Sequence, residues 1–368
     1  MHQHLLTLNA GSSSIKFALF ADEKADHTGQ IEGLGTSAHA RLTVRDAQGT
    51  VVHDAPLDSA SATHEDAVRG VLAWLHEAKV EIRAVGHRIV HGGQHLVAPR
   101  RIDDALVEQM AALIPLAPLH QPHNIAGVRA ARRAFPDVVQ VACFDTAFHA
   151  VQPELSRRFA LPRALYETGV QRYGFHGLSY ESIVAQLQAT DPQALAGRVV
   201  VAHLGNGASM CAMRDGKSVA TTMTFSPLDG LPMGTRTGRL DPAVVLHLLR
   251  GGKSADEVER LLFRESGLLG LSGVSSDLRT LEASNAPDAA LAIDYLVEYA
   301  VRELAGMAAA LRGLDLVVFT GGIGENATHI RERIARESAW LGFHAVRVLR
   351  TNEEMVIARH TAAMAGAL

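Results

Sequence analysis

The sequence predicts an α/β protein made of two related halves, and three observations predict it. Short apolar runs with strand spacing alternate with stretches of helical period. One unit recurs: an apolar strand, an Asn/Gly/Ser turn and a second apolar strand stand around Asn9 and again around Asn206, a little over half the chain apart. A chain of 368 residues also exceeds what one core usually fills.

The elements follow in order. Leu5–Leu8 and Ile15–Phe20 are apolar, and Asn9–Ser14 between them is turn chemistry. Strand-like runs stand at Arg41–Arg45 and Thr50–His53. Thr63–Lys79 places Ala67, Val71, Leu72, Leu75 and Ala78 on one helical face. Ala84–Val90 reads as a buried strand, Asp103–Ile114 and Asn124–Phe135 as helices, and Val138–Phe144 as another buried strand. The pattern then restarts with strand Arg198–Ala202, turn His203–Ser209 and strand Met210–Met213. Helices are expected at Asp241–Leu249, Ala255–Phe263 and Ala289–Leu311. Leu314–Phe319 is a strand, Thr320–Asn326 a glycine-rich turn with a helix opening after it, and Asn352–Ala367 a final helix. No linker, low-complexity tract or charge block marks a domain boundary.

Hydrophobic residues make up 47% of the chain and charged residues 20%, with a net charge of −4. That balance is globular, and it speaks against a general nucleic-acid binder, which needs a basic excess. No apolar run is long enough to cross a bilayer, and Leu5–Leu8 is too short for a signal-peptide core, so the reading is a cytoplasmic protein. The two cysteines, Cys143 and Cys211, each stand in an apolar run and read as buried thiols.

Three glycine-rich turns each follow an apolar strand. Such turns leave backbone N–H groups open to anionic oxygens. Two familiar nucleotide motifs do not account for them. Gly252-Lys253-Ser254 resembles the end of a P-loop, but His247 stands where its first glycine belongs. Gly322 to Ala327 fits G-x-G-x-x-A, yet too few residues follow to complete a dinucleotide-binding domain, which leaves a dehydrogenase as the weaker reading. The glycine turn better covers one face of an adenosine. His87, His91 and His95 have helical spacing for zinc, but Gly92-Gly93 and the β-branched run argue against a helix there.

The motifs together carry a resemblance. Asn9-Ala-Gly-Ser-Ser-Ser-Ile-Lys16 resembles the N-terminal signature of acetate kinases. Gly86–Gly93, Leu116–His120, Phe144–His149, Gly174–Gly177, His203–Ser209, Met233–Gly238, Thr320–Asn326 and Thr351–Glu354 are similar to further blocks of that family, in family order. The resemblance implies a two-lobed actin-like ATPase fold, with duplicated ribonuclease H-like α/β domains and an interdomain cleft. Residues 1–147 plus 354–368 would form the N-terminal lobe, closed by the C-terminal helix, and 148–353 the nucleotide-binding lobe. It implies the reversible reaction of ATP and acetate to ADP and acetyl phosphate with Mg2+, or alternatively Mn2+, in a homodimer without nucleic-acid or membrane partners.

Roles follow by resemblance. Arg88, on a buried strand, would bind acetate; a buried Arg needs an anionic partner. Arg236 and His176 would stabilise the migrating phosphoryl group. Asp145 is expected to position Mg2+ or orient an arginine, because acetate is already ionised and needs no base. His120 is a further active-site histidine. Val90, Leu119, Phe175 and Pro227 would form the pocket for the acetate methyl. Ser12, Lys16, His203, Leu204, Gly205, Asn206 and Gly207 would meet the phosphates. Asp277, Leu278 and Arg279 with Gly322, Ile323, Gly324, Glu325 and Asn326 would hold the adenosine. Asn9 and Glu353 would associate with magnesium. Arg88 and Arg236 are expected to gather in the crevice between the lobes. The stretch His344–Arg350 is shorter than the family usually carries, which leaves Glu353 on a shorter connection. The competing readings are a propionate or other short-chain acyl kinase, a non-catalytic, filament-forming or chaperone-like member of the superfamily, and the dehydrogenase.

Overall fold

The computed structural model describes residues 3–11, 14–34, 40–57 and 62–366. The chain divides into two compact units, Met1–Ala147 with Asn352–Leu368, and Phe148–Thr351. Asn352 and Glu353 thus fall with the first unit, two residues ahead of the expected boundary. Asn352 is the reason: its side chain accepts from Met355 N and caps the C-terminal helix.

In the first unit, strands β1 (Gln3–Ala10) and β2 (Ser14–Phe20) form the expected hairpin, with Asn9 opposite Lys16. Strands β3 (Ala25–Glu32), β4 (Arg41–Asp46) and β5 (Val51–Pro56) extend it antiparallel. Sequence pattern misses β3 because Ile31 is its one buried side chain. The strand is held by pairing on both sides rather than by an apolar face. Helix α1 (His64–Glu77) starts at a capping box, in which Thr63 Oγ1 accepts from Asp66 N and Asp66 accepts from Thr63 N. Its Val68, Val71, Trp74 and Leu75 pack on Leu6, Leu8, Ile15, Phe17 and Leu19 of the hairpin. Strand β6 (Glu81–Ile89) runs parallel to β1, a two-residue β7 (Arg100–Arg101) follows, helices α2 (Asp104–Ala112) and α3 (Gln121–Ala134) intervene, and β8 (Val139–Phe144) runs parallel to β6. The C-terminal helix, Glu353–Ala365, covers the opposite face, its Ala358 and Ala362 on Leu5, Ala18 and Ala84.

The second unit begins with short helices α4 (Glu154–Arg157) and α5 (Arg163–Glu167), then α6 (Gly177–Thr190) and α7 (Pro192–Leu195). Strands β9 (Arg198–Leu204) and β10 (Ala208–Arg214) make the second predicted hairpin, and β11 (Lys217–Thr221) pairs with β10. Helices α8 (Pro242–Arg250), α9 (Ala255–Arg264), α10 (Gly267–Ser272), α11 (Leu278–Glu282) and α12 (Pro287–Leu311) lead to β12 (Leu316–Thr320), parallel to β9. Helices α13 (Gly321–Asn326) and α14 (Thr328–Glu337) lead to β13 (Ala345–Val348), parallel to β12, which fills the short stretch before Thr351. The C-terminal helix of the first unit is α15. In the glycine-rich run 320–326, Thr320 ends β12 and Gly321–Asn326 are helical, contrary to the expected turn. The chain enters α13 directly from β12, and the Glu325 carboxylate accepts from Gly321 N, a helix-start amide that would otherwise lack a partner.

The sheet order β11-β10-β9-β12-β13 repeats β3-β2-β1-β6-β8, with two antiparallel pairings followed by two parallel ones in each. The strand–turn–strand echo read from Asn9 and Asn206 is thus the central hairpin of two like sheets.

Candidate active site

The first unit gathers charge at the ends of its parallel strands. Arg88, one residue before the end of β6, lays its guanidinium along Asp145, which follows β8: Nε lies 3.0 and 3.1 Å from the two carboxylate oxygens and Nη2 2.5 Å from Oδ2. Nη1 donates to Asn9 Oδ1 at 3.1 Å, and Glu353 Oε2 stands 3.7 Å from Nε. Asp145 is fully buried. Burial works against the charge on Arg88, but Asp145, Glu353 and Glu354 outweigh it and hold the guanidinium above its ordinary value. A guanidinium has five N–H donors, and these contacts use three. One N–H on each terminal nitrogen is left uncommitted among the described residues, and an end-on pair of that kind suits a carboxylate. Glu353 is pushed up to about 7, chiefly by burial, with Asp145 and Glu354 adding to it and Arg88 and Lys16 opposing. Val90, at the strand end, is buried, and its N–H donates to Asn124 Oδ1 at 2.9 Å. Leu119 and His120 are half-buried just ahead of α3, with His120 at its N-cap position. Lys16 is exposed on β2, and Ser12 lies outside the described residues.

The second unit gathers hydrogen-bond donors around a glycine turn. His176 stands at the N-cap of α6 with φ 58°, a left-handed conformation that a non-glycine residue seldom adopts. Its ring stacks on that of His203, at the end of β9, with centroids 4.3 Å apart. His176 Nδ1 lies 2.9 Å from Ser209 Oγ, and His203 Nδ1 lies 2.8 Å from Ser179 Oγ. A Cβ on Gly207 would sit 3.4 Å from His176 Nε2 and 3.5 Å from Arg236 Nη1. One open point, kept clear by a glycine, therefore has a ring N and a guanidinium N beside it. Arg236 Nη1 also donates to Pro227 O at 3.1 Å. Its loop is pinned by backbone bonds from Ser266, Leu268 and Leu269 to Thr235, Met233 and Gly234. Gly267 makes that contact possible: at φ +63° a Cβ there would lie 2.0 Å from Met233 O and 2.7 Å from Arg236 O. Phe175 is fully buried and Pro227 buried.

A cavity of about 730 Å³ opens beside the turn. Gly205 and Asn206 line it, with Asp277, Leu278 and Arg279 from α11 and its cap, and Gly322, Ile323 and Asn326 from α13. Asp277 caps α11, accepting from Arg279 N at 2.9 Å, and the Arg279 guanidinium holds its carboxyl down at about 2. Of the nucleotide residues expected in this unit, His203, Leu204, Gly207, Gly324 and Glu325 do not line the cavity. Leu204 and Gly324 are buried, and Glu325 accepts from Gly321 N, Thr320 Oγ1 and Thr351 N. The Glu325 carboxylate is thus committed to its own turn. Sequence reasoning missed Ser276, Glu282, Ala327 and His329 on the cavity wall, although Ser276 and Ala327 adjoin recognised motifs. It also missed Ser179, Tyr180 and, as a partner of His176, Ser209. The zinc spacing has another explanation: His87 bonds Gln140 at 2.8 Å and His91 Nδ1 accepts from Gly93 N at 2.9 Å.

The sequence profile of the acetokinase family matches residues 4–365. The chain belongs to the acetokinase family. It is 49% identical to an acetate kinase of Methylocella silvestris over an alignment 403 positions long, covering 99% of this chain and 98% of that protein. Among solved structures, a propionate kinase from Francisella tularensis superposes with a TM-score of 0.91 at 35% identity, covering 98% of this chain and 99% of that one. Porphyromonas gingivalis acetate kinase gives 0.86 at 34%, with the same coverage. The fold is the actin-like ATPase fold of these acetokinase-family enzymes, which agrees with the repeated sheet order.

Asn9, Asp145 and Glu353 fit a hard divalent cation. They offer only oxygen atoms, the donor type such a cation takes, and the Glu353 carboxyl, raised chiefly by burial, would gain a counter-charge from it. Among the described residues no three His, Cys, Asp or Glu side chains are disposed to cage a metal. Mg2+ does not require such a cage, since it is commonly bound by one or two carboxylates together with water and substrate phosphates. No helix among the described residues is long and apolar enough to cross a membrane.

Proposed function

We propose that this chain is an acetate kinase that transfers the γ-phosphoryl group of ATP to acetate, reversibly, giving ADP and acetyl phosphate. The observation that carries the reading is the open point at Gly207, with His176 Nε2 and Arg236 Nη1 beside it at the edge of the 730 Å³ cavity. A cation and a ring N–H at one point suit a phosphoryl group whose charge spreads over three oxygens.

The chemistry asks little of the protein beyond placement. Acetate is ionised at neutral pH, so a carboxylate oxygen attacks phosphorus directly while the bond from phosphorus to the ADP oxygen breaks, and no proton need be removed. Arg88 offers the acceptor its two remaining N–H groups, and Asp145 fixes their direction. Val90, Leu119, Phe175 and Pro227 receive the methyl group. Arg236 and His176 take the developing charge. Gly205–Gly207, His203, Ser12 and Lys16 meet the phosphates, and the cavity residues hold the adenosine. Mg2+, or Mn2+ in its place, would be held by Asn9 and Glu353, with Asp145 directly or through water; when bound it neutralises phosphate charge. His120 contributes at the active site. The chain acts in the cytoplasm as a homodimer. Helix α8, which buries none of its residues and exposes Val244, Leu246 and Leu249, supports a second copy as its cover.

The test is acyl hydroxamate formation with ATP, Mg2+, hydroxylamine and acetate. Acetate-dependent product is expected, and no product above a boiled control overturns the reading. The likeness to a propionate kinase supports a second reading as a short-chain acyl kinase. Relative kcat/KM for acetate, propionate and butyrate separates the two, although one methylene is worth only about 1–3 kcal/mol.

A further inference from the structure

Two buried serines and a buried tyrosine surround the stacked histidines. Helix α6 delivers His176, Ser179 and Tyr180 on one face, at i, i+3 and i+4. Ser209 comes from β10, where it pairs with His203. The hydroxyls of Ser179, Tyr180 and Ser209 belong to fully buried residues. Tyr180 Oη lies 2.5 Å from Ser209 Oγ, and Ser209 Oγ lies 2.9 Å from His176 Nδ1. Among the described residues Tyr180 Oη has no other hydrogen-bond partner, and Ser209 Oγ has only these two.

The protons can be counted from this. A buried phenol that fails to donate carries an unsatisfied donor, which is costly. Tyr180 therefore donates to Ser209, and the single Ser209 proton goes to His176 Nδ1. An unprotonated Nδ1 puts the ring proton on Nε2, the nitrogen beside Gly207. His203 obeys the same rule. Ser179 Oγ has His203 Nδ1 as its one partner among the described residues and donates to it. His203 Nε2 would then lie 3.7 Å from a Cβ on Gly205, again facing the turn. Two neutral rings also stack at 4.3 Å without the repulsion that two imidazolium ions would suffer.

We infer that Tyr180, Ser209 and Ser179 are positioning residues that lock His176 and His203 as neutral Nε2–H tautomers, aiming two hydrogen-bond donors at the Gly205–Gly207 turn. The inference rests on the phosphoryl-transfer reading for its kinetic consequence, not for its tautomers. Ser209→Ala should lower kcat about 10- to 100-fold with KM for ATP and acetate kept within about twofold. Tyr180→Phe keeps the ring and deletes one hydroxyl, so it should fold and lower kcat less. The double variant should be no slower than Ser209→Ala, because the phenol acts only through that serine.

The decisive measurement is 15N NMR of the substrate-free enzyme labelled at histidine. His176 and His203 should each show a protonated Nε2 and a bare Nδ1, and Ser209→Ala should blur this for His176 alone. A protonated Nδ1 on His176 in the parent enzyme overturns the proposal, as do an unchanged kcat in Ser209→Ala or additive losses in the double variant. Since the tautomers are read without substrate, a wrong acceptor assignment leaves that result intact.

Discussion

One pair back from the turn, the hairpin of the first unit carries Asn9 opposite Lys16; the same place in the second unit carries His203 opposite Ser209. The sheets beneath share strand order and direction. The first unit spends its strand ends on an ion pair, Arg88 against Asp145, with Glu353 from the start of α15 beside it. The second spends them on backbone, glycine and hydroxyl-held rings, with Arg236 Nη1 donating to the Pro227 carbonyl oxygen. A carboxylate acceptor needs a fixed counter-charge; a phosphoryl group in transit needs donors that are already in place. One scaffold presents both because strand ends tolerate changes of side chain that strand middles do not.

Breaking the comparison at its two arginines should give the largest effects, with different signatures. Arg88→Ala leaves buried acids unpaired, so it should remove activity and lower the stability of the first unit by about 3–5 kcal/mol, read by thermal melting. Arg236→Ala should cost ~10³-fold or more in kcat with an unchanged melting temperature. Equal loss of stability in both would erase the distinction. Next comes acid. Burial holds His87 in the first unit and His149 in the second at about 4. Each stays neutral in the folded chain while the unfolded chain takes up a proton below its ordinary value of 6.5. Stability is therefore complete above about 6.5 and falls as pH drops towards 4, by on the order of 3 kcal/mol for each ring. Melting curves of His87→Leu and His149→Leu should each show a shallower slope in that window. Gly207→Ala places a methyl between His176 and Arg236 and should lower kcat about 10²-fold while the fold is kept. Glu353→Gln should raise the Mg2+ concentration for half-maximal rate about tenfold. Arg279→Ala removes an exposed partner of Asp277 and should shift KM for ATP by less than about threefold, since such pairs are worth little.

Much of this was legible in the chain. Both hairpins show as apolar runs around a turn, and Arg88 is conspicuous as a charge inside an apolar strand. The turn residues that line the cavity sit in glycine-rich blocks that are easy to see. Strand β3 was not legible, because ADHTGQIE has no apolar alternation and owes its form to neighbours on either side. Run 320–326 reads as a turn because its glycines mask the helix Gly321–Asn326, whose first amide is satisfied by Glu325. Tyr180 and Ser209 lie almost thirty positions apart and look like ordinary core and strand residues. Only folding brings both hydroxyls to one ring.

Gly267 has no side chain and contributes nothing to the reactants, yet a single methyl there would collide with the carbonyls of Met233 and Arg236. Substitution at this position would push the arginine loop off its seat and silence turnover from a distance, leaving both arginines chemically intact. Inactive variants found by random mutagenesis should therefore map to this hinge-like weld as well as to the charged groups themselves.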